Sequence, residues 1–367
     1  MKIFAINPGS TGMKAALYED LEMLWSESVA YSQEEIDRCK GSPEKEELFR
    51  FTNSVEILKK HGNGVSELSA VVGRGGLLRP ISGGAWIINE EMAADLRSCR
   101  YGRHASNFGG LIAKRISEEA GSIPAFIVDP VSVDEFTPLV CVDEMSEVAH
   151  VSGMPNLPKR SVFHALNQKA VAYKVAQKMG KHIDQCRFIV AHMGGGVTVG
   201  AHCEGKVIDV NNGLGGYGPM SLERAGTVHA WDLIDLCFSG TYSRKEIERM
   251  VVGEAGVAAH IGSRDFRKIV ERIHSGDVKA KLIVDALAYQ IAAEIGSRAV
   301  NLYGKVDAVI LTGGLANSAY LCDLIRDRVS WISEVICVPG EDELRALVEG
   351  AYKVLSGEEE AHVYEKE

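Results

Sequence analysis

Two segments of this chain share one design, in which an apolar strand runs into a turn of glycine or hydroxyl residues and continues as a second strand. The N-terminal segment reads KIFAI as the first strand, NPGSTG as the turn and, after Met13, KAALY as the second strand, and residues 188–200 read FIVAHMGGGVTVG. A turn without side chains lets backbone N–H groups approach an anion closely, so both turns are candidates for phosphate binding. Glycine triplets also serve ordinary tight hairpins, which leaves both interpretations open at this point.

A second pair of segments repeats the correspondence. Residues 70–76 read AVVGRGG and residues 308–314 read AVILTGG, so each is an apolar strand that ends in glycines. Self-similarity within one chain predicts a duplicated architecture of two related α/β domains, with a boundary near residue 132. Because ligands of open α/β sheets bind at the carboxyl ends of the strands, we expect these ends to face a shared cleft.

Composition restricts the partners of the chain. Its 367 residues are 46% hydrophobic and 25% charged, which is typical of a globular protein of two or three domains. The net charge of -10 and the lack of a basic stripe argue against nucleic acid. No apolar run is long enough to span a bilayer and no signal peptide is evident, so we expect no membrane association and a cytoplasmic location. The eight cysteines lack metal-ligand spacing and are predicted to be reduced apolar fillers.

Apolar residues recur at helical spacing between the strands. Helices are predicted over residues 163–179 and 279–298, and a last helix follows Asp342 and stops before Gly357, where a helix-terminating glycine belongs. Strands that alternate with helices favour parallel sheets with crossover connections. Residues 358–367 are predicted to be a short acidic tail.

The N-terminal turn carries polar groups suited to an anion. Pro8 fixes its own φ and favours an extended conformation for Asn7. The Asn7 amide, the Ser10 and Thr11 hydroxyls and the Lys14 ammonium could therefore converge on one phosphate. An ordinary polar hairpin is the alternative.

In order, from residue 3 to about residue 355, the chain resembles the butyrate kinase branch of the acetate kinase family. The motifs that carry the resemblance are INPGSTGMKAALYED, VVGRGGLLRPISGG, HASNFGG, FIVDPVSVDE, SGMPNLPKRSVFHALNQKAVA, IVAHMGGGVTVGAH, GKVIDVNN, AVILTGGLANS and VPGEDE.

The resemblance implies an α/β fold of duplicated actin-like, ribonuclease-H-like domains, with ATP in the interdomain cleft. Residues 1–131 with 346–367 would form the acyl-substrate-side domain, and residues 132–345 the nucleotide-binding domain. The implied reaction is reversible transfer of the γ-phosphoryl group of ATP to a short-chain carboxylate, which yields an acyl phosphate and ADP. The implied assembly is a homodimer or a larger homo-oligomer.

This chemistry fits the residue types available. A carboxylate that attacks the γ-phosphorus has no proton to lose, so the site needs charge neutralisation and alignment rather than a general base. By resemblance, Arg74, between glycines at a strand end, holds the carboxylate or the transferring phosphoryl group, and Arg224 clamps the phosphoryl oxygens. The glycines on both sides of Arg74 leave its guanidinium room to point into a cleft, and a surface arginine on a loop is the alternative; Arg224, without the resemblance, would be called solvated.

Three of the eleven histidines are candidates for the site. His164 follows Phe163 at the start of a predicted helix, where backbone amides favour an anion, and the resemblance implies that it stabilises the transition state. His104 and His192 are each as readily phosphate contacts as satisfied buried histidines. Phe163 is predicted to form an apolar wall of the acyl site.

The resemblance also assigns the metal and the nucleotide. Asp129 and Glu343 would hold Mg²⁺, largely through water, with Asp342 as an alternative to Glu343; Mg²⁺ needs few protein carboxylates when phosphate oxygens complete its shell. The ATP phosphates would lie on the N-terminal turn, on His192 and on the turn of Gly194, Gly195 and Gly196. The adenosine would be bordered by Gly313, Gly314 and Asn317.

Acyl-chain length is predicted from Gly76, where acetate kinases carry a branched apolar residue. The missing side chain suggests a roomier pocket for four- or five-carbon acids, with one methylene worth only ~1–3 kcal/mol of discrimination. Gly12 and residues 215–217 depart from the butyrate kinase pattern, which lacks glycine at the former and is acidic at the latter. The alternatives are an acetate or propionate kinase of the same family and a non-catalytic nucleotide-binding regulator on the same fold.

Overall fold

The computed structural model describes residues 1–39, 41–136 and 148–366. These residues form two compact units, the first made of residues 1–133 with 342–367 and the second of residues 134–341. The boundaries predicted from the sequence differ from those of the two units by a few residues. They place Glu343 in the nucleotide-binding domain, whereas the helix that starts at Glu343 lies entirely in the first unit. Whether the two units correspond to an acyl-side and a nucleotide domain stays a prediction.

Strands and helices are numbered in chain order. The strands are β1 (Lys2–Gly9), β2 (Gly12–Glu19), β3 (Glu22–Ala30), β4 (Ala70–Arg74), β5 (Ala85–Ile87), β6 (Ala125–Val128), β7 (Arg187–Met193), β8 (Val197–Cys203), β9 (Lys206–Val210), β10 (Ala308–Gly313), β11 (Val335–Pro339) and β12 (His362–Val363). The helices are α1 (Gln33–Cys39), α2 (Pro43–Lys60), α3 (Glu90–Ser98), α4 (Asn107–Glu119), α5 (Ala165–Lys178), α6 (Ala230–Phe238), α7 (Arg244–Val251), α8 (Gly256–Ile261), α9 (Phe266–His274), α10 (Val278–Asn301), α11 (Ala319–Val329) and α12 (Glu343–Leu355).

The first unit is built on a mixed seven-stranded sheet in the order β12-β5-β6-β4-β1-β2-β3. Strands β1, β4 and β6 are parallel, and β2 and β3 continue from β1 as antiparallel hairpins. The second unit has a five-stranded sheet in the order β11-β10-β7-β8-β9, again with three parallel strands and two antiparallel ones. The order β6-β4-β1-β2-β3 is therefore repeated, and the predicted duplication is confirmed.

Both sheets are buried on two faces, which explains why their central strands read as continuous apolar runs. In β7, Ile189 and Ala191 pack among residues of α10, while Phe188 and Val190 pack among residues of α5. Successive side chains of a strand point to opposite faces, so alternate residues of the run pack into the two cores on opposite sides of the sheet. In the first unit, α12 packs against β1, β4 and β6, and this brings its N-terminus to the sheet.

The end of the chain differs from the prediction. Residues 358–367 do not form a simple acidic tail, because His362 and Val363 pair in parallel with β5 as an added edge strand. The side chain of Tyr364 is buried, its hydroxyl donates to Asp95 Oδ2 at 2.8 Å, and the Arg79 guanidinium lies 4.4 Å from its ring. Burial raises the pKa of Tyr364 well above its ordinary value. The strand could not be predicted from the apolar pattern, because the segment contains a run of charged residues followed by a single buried aromatic residue.

No helix within the described ranges combines the length and the apolar character needed to cross a bilayer.

The Tyr364→Ala substitution should lower the free energy of unfolding by ~3–5 kcal/mol, because it removes a buried aromatic ring from the edge of the first sheet. Tyr364→Phe, which loses only the hydrogen bond to Asp95, should cost ~1–2 kcal/mol. Val363→Ala is the matched control, since Val363 is 57% exposed. Urea unfolding measures all three, and equal losses in Tyr364→Ala and Val363→Ala would show that residues after α12 are not part of the fold.

Candidate active site

The parallel strands of the first unit bring three predicted site residues to one edge of the sheet. Gly73 of β4 is paired with Ile6 of β1 and with Ile127 of β6. One residue further along each strand, Asn7 and Arg74 are neighbours, and Asp129 follows the end of β6. This is the carboxyl edge of the parallel strands, where ligands of α/β sheets bind.

Glu343 joins this edge from the first turn of α12. Arg74 Nη1 donates to Glu343 Oε2 at 3.0 Å and to Asn7 Oδ1 at 3.3 Å, and Asn7 Nδ2 donates to the same Glu343 oxygen. Glu343 is only 6% exposed, so its charge is offset by the arginine and satisfied by the amide. Asp342, the alternative metal ligand, is instead the N-cap residue of α12. Burial raises the pKa of Tyr18, and the charge of Asp342 raises it further.

Asp129 is held in an uncommon backbone conformation. Its φ is +39°, a left-handed value that Asp tolerates better than most residues, and its Oδ1 accepts a hydrogen bond from the Gly84 N–H at 2.8 Å. Asp129, directly after β6, and Glu343, at the start of α12, thus both lie at the sheet edge that carries Arg74. Two carboxylates suit Mg²⁺ when phosphates and waters supply the remaining oxygens. Within residues 1–39, 41–136 and 148–366, no three acidic, histidine or cysteine side chains form a complete metal cage.

The N-terminal hairpin is tighter than predicted, because β1 continues to Gly9 and only Ser10 and Thr11 form the turn. Lys14 is paired with Asn7 across the hairpin, which places both side chains on one face of the sheet. Ser10, Thr11 and Lys14 are exposed, whereas Asn7 is buried against Glu343. The structure therefore brings Lys14 to the face of Asn7 and leaves the two hydroxyls at the tip.

Arg50 of α2 braces this hairpin from behind, and sequence reasoning missed it. The guanidinium is 3% exposed and donates through Nη1 to the Gly9 carbonyl at 2.9 Å and to the Gly12 carbonyl at 3.4 Å. Glu46, one helical turn earlier, pairs with it at 2.8 Å. A Cβ on Gly12 would lie 2.4 Å from the Val29 carbonyl oxygen, so the close approach of β3 requires the glycine found there.

Gly76 has a structural role that the sequence argument did not foresee. A Cβ at this position would lie 2.5 Å from Asn107 Cα and 2.7 Å from the Asn107 nitrogen. The space of the missing side chain is filled by the start of α4, so the absence of that side chain does not by itself enlarge a pocket. His104 precedes α4, is partly buried, and its Nδ1 lies 2.7 Å from Ser106 Oγ.

In the second unit, the triple-glycine turn connects β7 and β8 as predicted, and the Gly194 N–H donates to the Gly196 carbonyl at 2.9 Å. Gly194 and Gly196 are buried, and Gly195 is exposed. Ser221 Oγ donates to the Gly195 carbonyl at 2.5 Å and holds the turn from one side. The turn is therefore a fixed loop rather than a flexible one.

Arg224 packs directly on this turn. A Cβ on Gly196 would lie 2.5 Å from Arg224 Nη1, so a side chain at this position would displace the guanidinium, and the same nitrogen donates to the Gly213 carbonyl. Burial lowers the pKa of the Arg224 guanidinium, an effect that Glu223 partly opposes. Sequence alone would have placed this arginine in solvent, whereas the structure places its charge beside the glycine turn.

His164 and His192 lie face to face in the second unit. Their ring centroids are 3.8 Å apart and their planes differ by 10°. His192 is 1% exposed, its Nδ1 lies 2.8 Å from Asn167 Oδ1, and its Nε2 lies 3.1 Å from Glu341 Oε1. His192 is therefore a satisfied buried histidine. The ring of His164 is half-buried.

A buried polar chain supports His164. Its Nδ1 lies 2.9 Å from Thr198 Oγ1, and Gln168 Nε2 donates both to Thr198 Oγ1 at 2.9 Å and to the Thr198 carbonyl at 3.0 Å. The chain ends at His202, whose Nε2 lies 3.0 Å from Gln168 Oε1. Burial, with a smaller effect of Lys169, lowers the pKa of His202 to about 3. His202 is therefore neutral near neutral pH.

The predicted adenosine residues form the end of β10 and the turn after it. Gly313 has a φ of +85°, and a Cβ there would lie 2.5 Å from the Met193 carbonyl oxygen, so glycine lets β10 approach β7. Gly314 is exposed and a Cβ on it would meet nothing within 4 Å. Asn317 Nδ2 donates to the Gly314 carbonyl at 3.0 Å. Phe163 is buried in this unit, before α5.

The polar chain behind His164 was missed, although a signal for it exists. His164 is the N-cap residue of α5, and Gln168 follows it by four residues, so the first turn of the helix brings the two side chains close together. A three-residue turn also fixes the register of β7 and β8, which pairs His192 with Thr198, and period-two alternation then places His202 on the same face.

Comparison with known proteins agrees with this architecture. Residues 156–359, more than half of the chain, match the Acetokinase family. An acetate kinase from Porphyromonas gingivalis is similar over 96% of this chain and 99% of its own, at 21% identity and a TM-score of 0.74. A propionate kinase from Francisella tularensis subsp. tularensis and an acetate kinase from Entamoeba histolytica each align over 95% of this chain and 98% of their own, at 17% identity and a TM-score of 0.72. At these identities the likeness establishes the fold, and the predicted fold class is confirmed.

The stability of the protein should fall as the pH drops below 6.5, the ordinary pKa of histidine, because the unfolded chain then protonates His202, whereas burial lowers the pKa of His202 in the folded chain to about 3. This one group contributes a limiting slope of ~1.4 kcal/mol per pH unit in that window. His202→Gln should flatten the dependence of the unfolding free energy between pH 6.5 and pH 5. His182→Gln, at a site 72% exposed, is the control. Parallel curves for wild type and His202→Gln would contradict the neutral, buried state.

Proposed function

Because the chain belongs to the acetokinase family of carboxylate kinases, we propose that it transfers the γ-phosphoryl group of ATP to butyrate or a related short- or branched-chain fatty acid. The products are the acyl phosphate and ADP, and the reaction is reversible. The transfer is direct and in line, without a covalent enzyme intermediate.

The observation that carries the proposal is the Arg74 guanidinium at the carboxyl edge of the first sheet, held by Asn7 and Glu343. An arginine positioned by two partners keeps its remaining N–H groups in a fixed direction, which suits a planar carboxylate or phosphoryl group. A protein that only bound nucleotide would not require an arginine fixed in this way. This supports an enzyme over the non-catalytic regulator.

Charge neutralisation supplies most of the proposed catalysis. The attacking carboxylate and the phosphoryl group repel each other, and the transferring group spreads charge over its oxygens. We assign Arg74 to the carboxylate or the phosphoryl group, Arg224 to the phosphoryl oxygens, and His164 to the transition state as a hydrogen-bond donor. Burial of Arg224 strengthens its effect on an anion, because less water screens the charge.

The nucleotide and the metal are assigned to residues whose chemistry suits them. Asp129 and Glu343 would hold Mg²⁺, which when bound offsets phosphate charge. The glycine turn at residues 194–196 and the N-terminal turn with Asn7, Ser10, Thr11 and Lys14 would order the phosphates. His192 is not assigned to them, because its two ring nitrogens already contact Asn167 and Glu341. Gly313, Gly314 and Asn317 would border the adenosine, and open space around Gly314 is compatible with a close approach.

The choice of butyrate rests on the motif resemblance. Gly76 adds little to it, since Asn107 occupies the space concerned. His104 and Phe163 remain proposed contacts of the acyl chain. An acetate or propionate kinase of the same family is the second candidate, because the similar structures named above are those of acetate and propionate kinases.

We also propose that the protein works in the cytoplasm as a homodimer or a larger homo-oligomer. Helix α6 supports the assembly, because it contains no buried residue although it is strongly apolar. Trp231 and Phe238, on this helix, are 70% and 86% exposed. A short helix of this kind gains its stability from packing, which a second subunit would provide.

Acyl-chain preference can be measured by trapping the acyl phosphate with hydroxylamine. Butyrate, isobutyrate and valerate should give the highest kcat/KM and propionate and acetate lower values, with steps of about tenfold or more per methylene. Acetate as the best substrate would favour the second candidate, and the absence of product with every acid would contradict a carboxylate kinase.

Arg74→Ala and Arg224→Ala should each lower kcat by at least ~10²–10³-fold, because each removes a charge that is needed chiefly in the transition state, while ATP affinity changes little. Initial rates and ATP titration measure the two quantities, and thermal unfolding verifies the fold. Arg38→Ala, at a site 71% exposed, is the matched control. A variant that keeps the kcat of wild type would remove that arginine from the proposed site.

A further inference from the structure

We infer that Thr198, Gln168 and His202 form a directional hydrogen-bond relay that holds His164 in the tautomer with its hydrogen on Nε2. The relay acts through His164, so these three are positioning residues. The importance of these residues for turnover rests on the proposed function of His164. The tautomer of His164 does not depend on that proposal, because it follows from the hydrogen bonds alone.

The direction of the relay is set at Gln168. A carbonyl oxygen can only accept, so the contact of 3.0 Å between Gln168 Nε2 and the Thr198 carbonyl identifies the amide nitrogen. The amide oxygen therefore points to His202, and His202 Nε2 must donate to it across 3.0 Å. Since His202 is neutral near neutral pH, it is held in its own Nε2–H tautomer.

Thr198 passes the direction on to His164. The second amide hydrogen of Gln168 is donated to Thr198 Oγ1 at 2.9 Å, so the hydroxyl oxygen is an acceptor there. Thr198 is completely buried, and its hydroxyl hydrogen needs an acceptor of its own. His164 Nδ1, 2.9 Å away, provides it. His164 Nδ1 is therefore unprotonated, and the hydrogen of the neutral ring lies on Nε2.

The fold makes room for this arrangement. A Cβ on Gly200 would lie 2.5 Å from Gln168 Oε1, so β8 carries a glycine where the amide must fit. Thr198, Gly200 and His202 alternate along one face of β8, and Gln168 reaches them from α5. The stacked ring of His192, 3.8 Å away, restricts rotation of His164.

The tautomer decides what His164 offers to an anion. With the hydrogen on Nε2, that nitrogen is a donor to phosphoryl oxygens without carrying a charge. With the hydrogen on Nδ1, the Nε2 lone pair would repel the same oxygens. The relay would thus maintain a transition-state donor and avoid the energetic cost of selecting the tautomer during turnover.

Nitrogen NMR of the full-length protein labelled with ¹⁵N-histidine tests the tautomer directly, with His164→Gln used for assignment. A protonated and an unprotonated ring nitrogen have well-separated resonances, so Nε2–H should be observed for His164 at neutral pH. Thr198→Val and Gly200→Ala should give a tautomer mixture, while Thr198→Ser should restore the wild-type signature. The atoms nearest to a Cβ on Gly200 belong to side chains, Gln168 Oε1 at 2.5 Å and Val207 Cγ1 at 3.1 Å, and not to the backbone, which favours retention of the fold.

Kinetics separate a positioning role from a merely structural one. Thr198→Val and Gly200→Ala should lower kcat ~10- to ~100-fold, less than outright loss of a transition-state donor, with KM for ATP unchanged. Thr198→Ser should recover most of kcat. A hydrogen on Nδ1 of His164 in the wild type would overturn the relay, and so would a tautomer mixture without loss of kcat. If no carboxylate is phosphorylated at all, the proposed function fails, and the NMR signature still decides the tautomer.

Discussion

The contact of Glu343 with Arg74 and Asn7 is the interaction that organises the proposed site in the first unit. It joins the start of α12 to two parallel strands, and a nearly buried carboxylate is tolerated there only because an arginine and an amide satisfy it. The same contact limits the directions in which the guanidinium can point. Removal of the Arg74 guanidinium would leave the buried Glu343 carboxylate without a counter-charge. Local stability is therefore tied to the geometry of the proposed site.

Duplication gives the two units equivalent positions that carry different side chains. When the repeated strands β4 and β10 are aligned at Ala70 and Ala308, Arg74 corresponds to Thr312, and their neighbours in β1 and β7, Asn7 and His192, also correspond. The shared backbone supplies a carboxyl strand edge and a hairpin in each case. In the first unit this edge presents an arginine with carboxylates, and in the second a glycine turn with stacked histidines. The two units thus differ in the side chains that they present on one shared topology.

Much of this arrangement could be predicted from local pattern. The strand Ala125–Val128, the helix from Glu343 and the turn at residues 194–196 follow from apolar runs bounded by glycines and acids. Gly76 and the terminal strand could not be predicted, because both depend on segments that are distant in sequence: the start of α4 fills the space beside Gly76, and β5 recruits His362 and Val363. Arg50 and the relay behind His164 were missed for the same reason, since a polar residue gains its role only from partners that the fold brings to it.

Oxygen-18 transfer tests the carboxylate kinase chemistry most directly. Butyrate labelled with oxygen-18 in its carboxyl group is incubated with ATP, Mg²⁺ and the protein, and the product is trapped with hydroxylamine, which attacks the acyl carbon and releases phosphate. If a carboxylate oxygen attacks the γ-phosphorus, the released phosphate carries one oxygen-18, detectable by ³¹P NMR. Phosphate without the label, formed at a rate that does not depend on the acid, would mean that the protein hydrolyses ATP and does not phosphorylate a carboxylate.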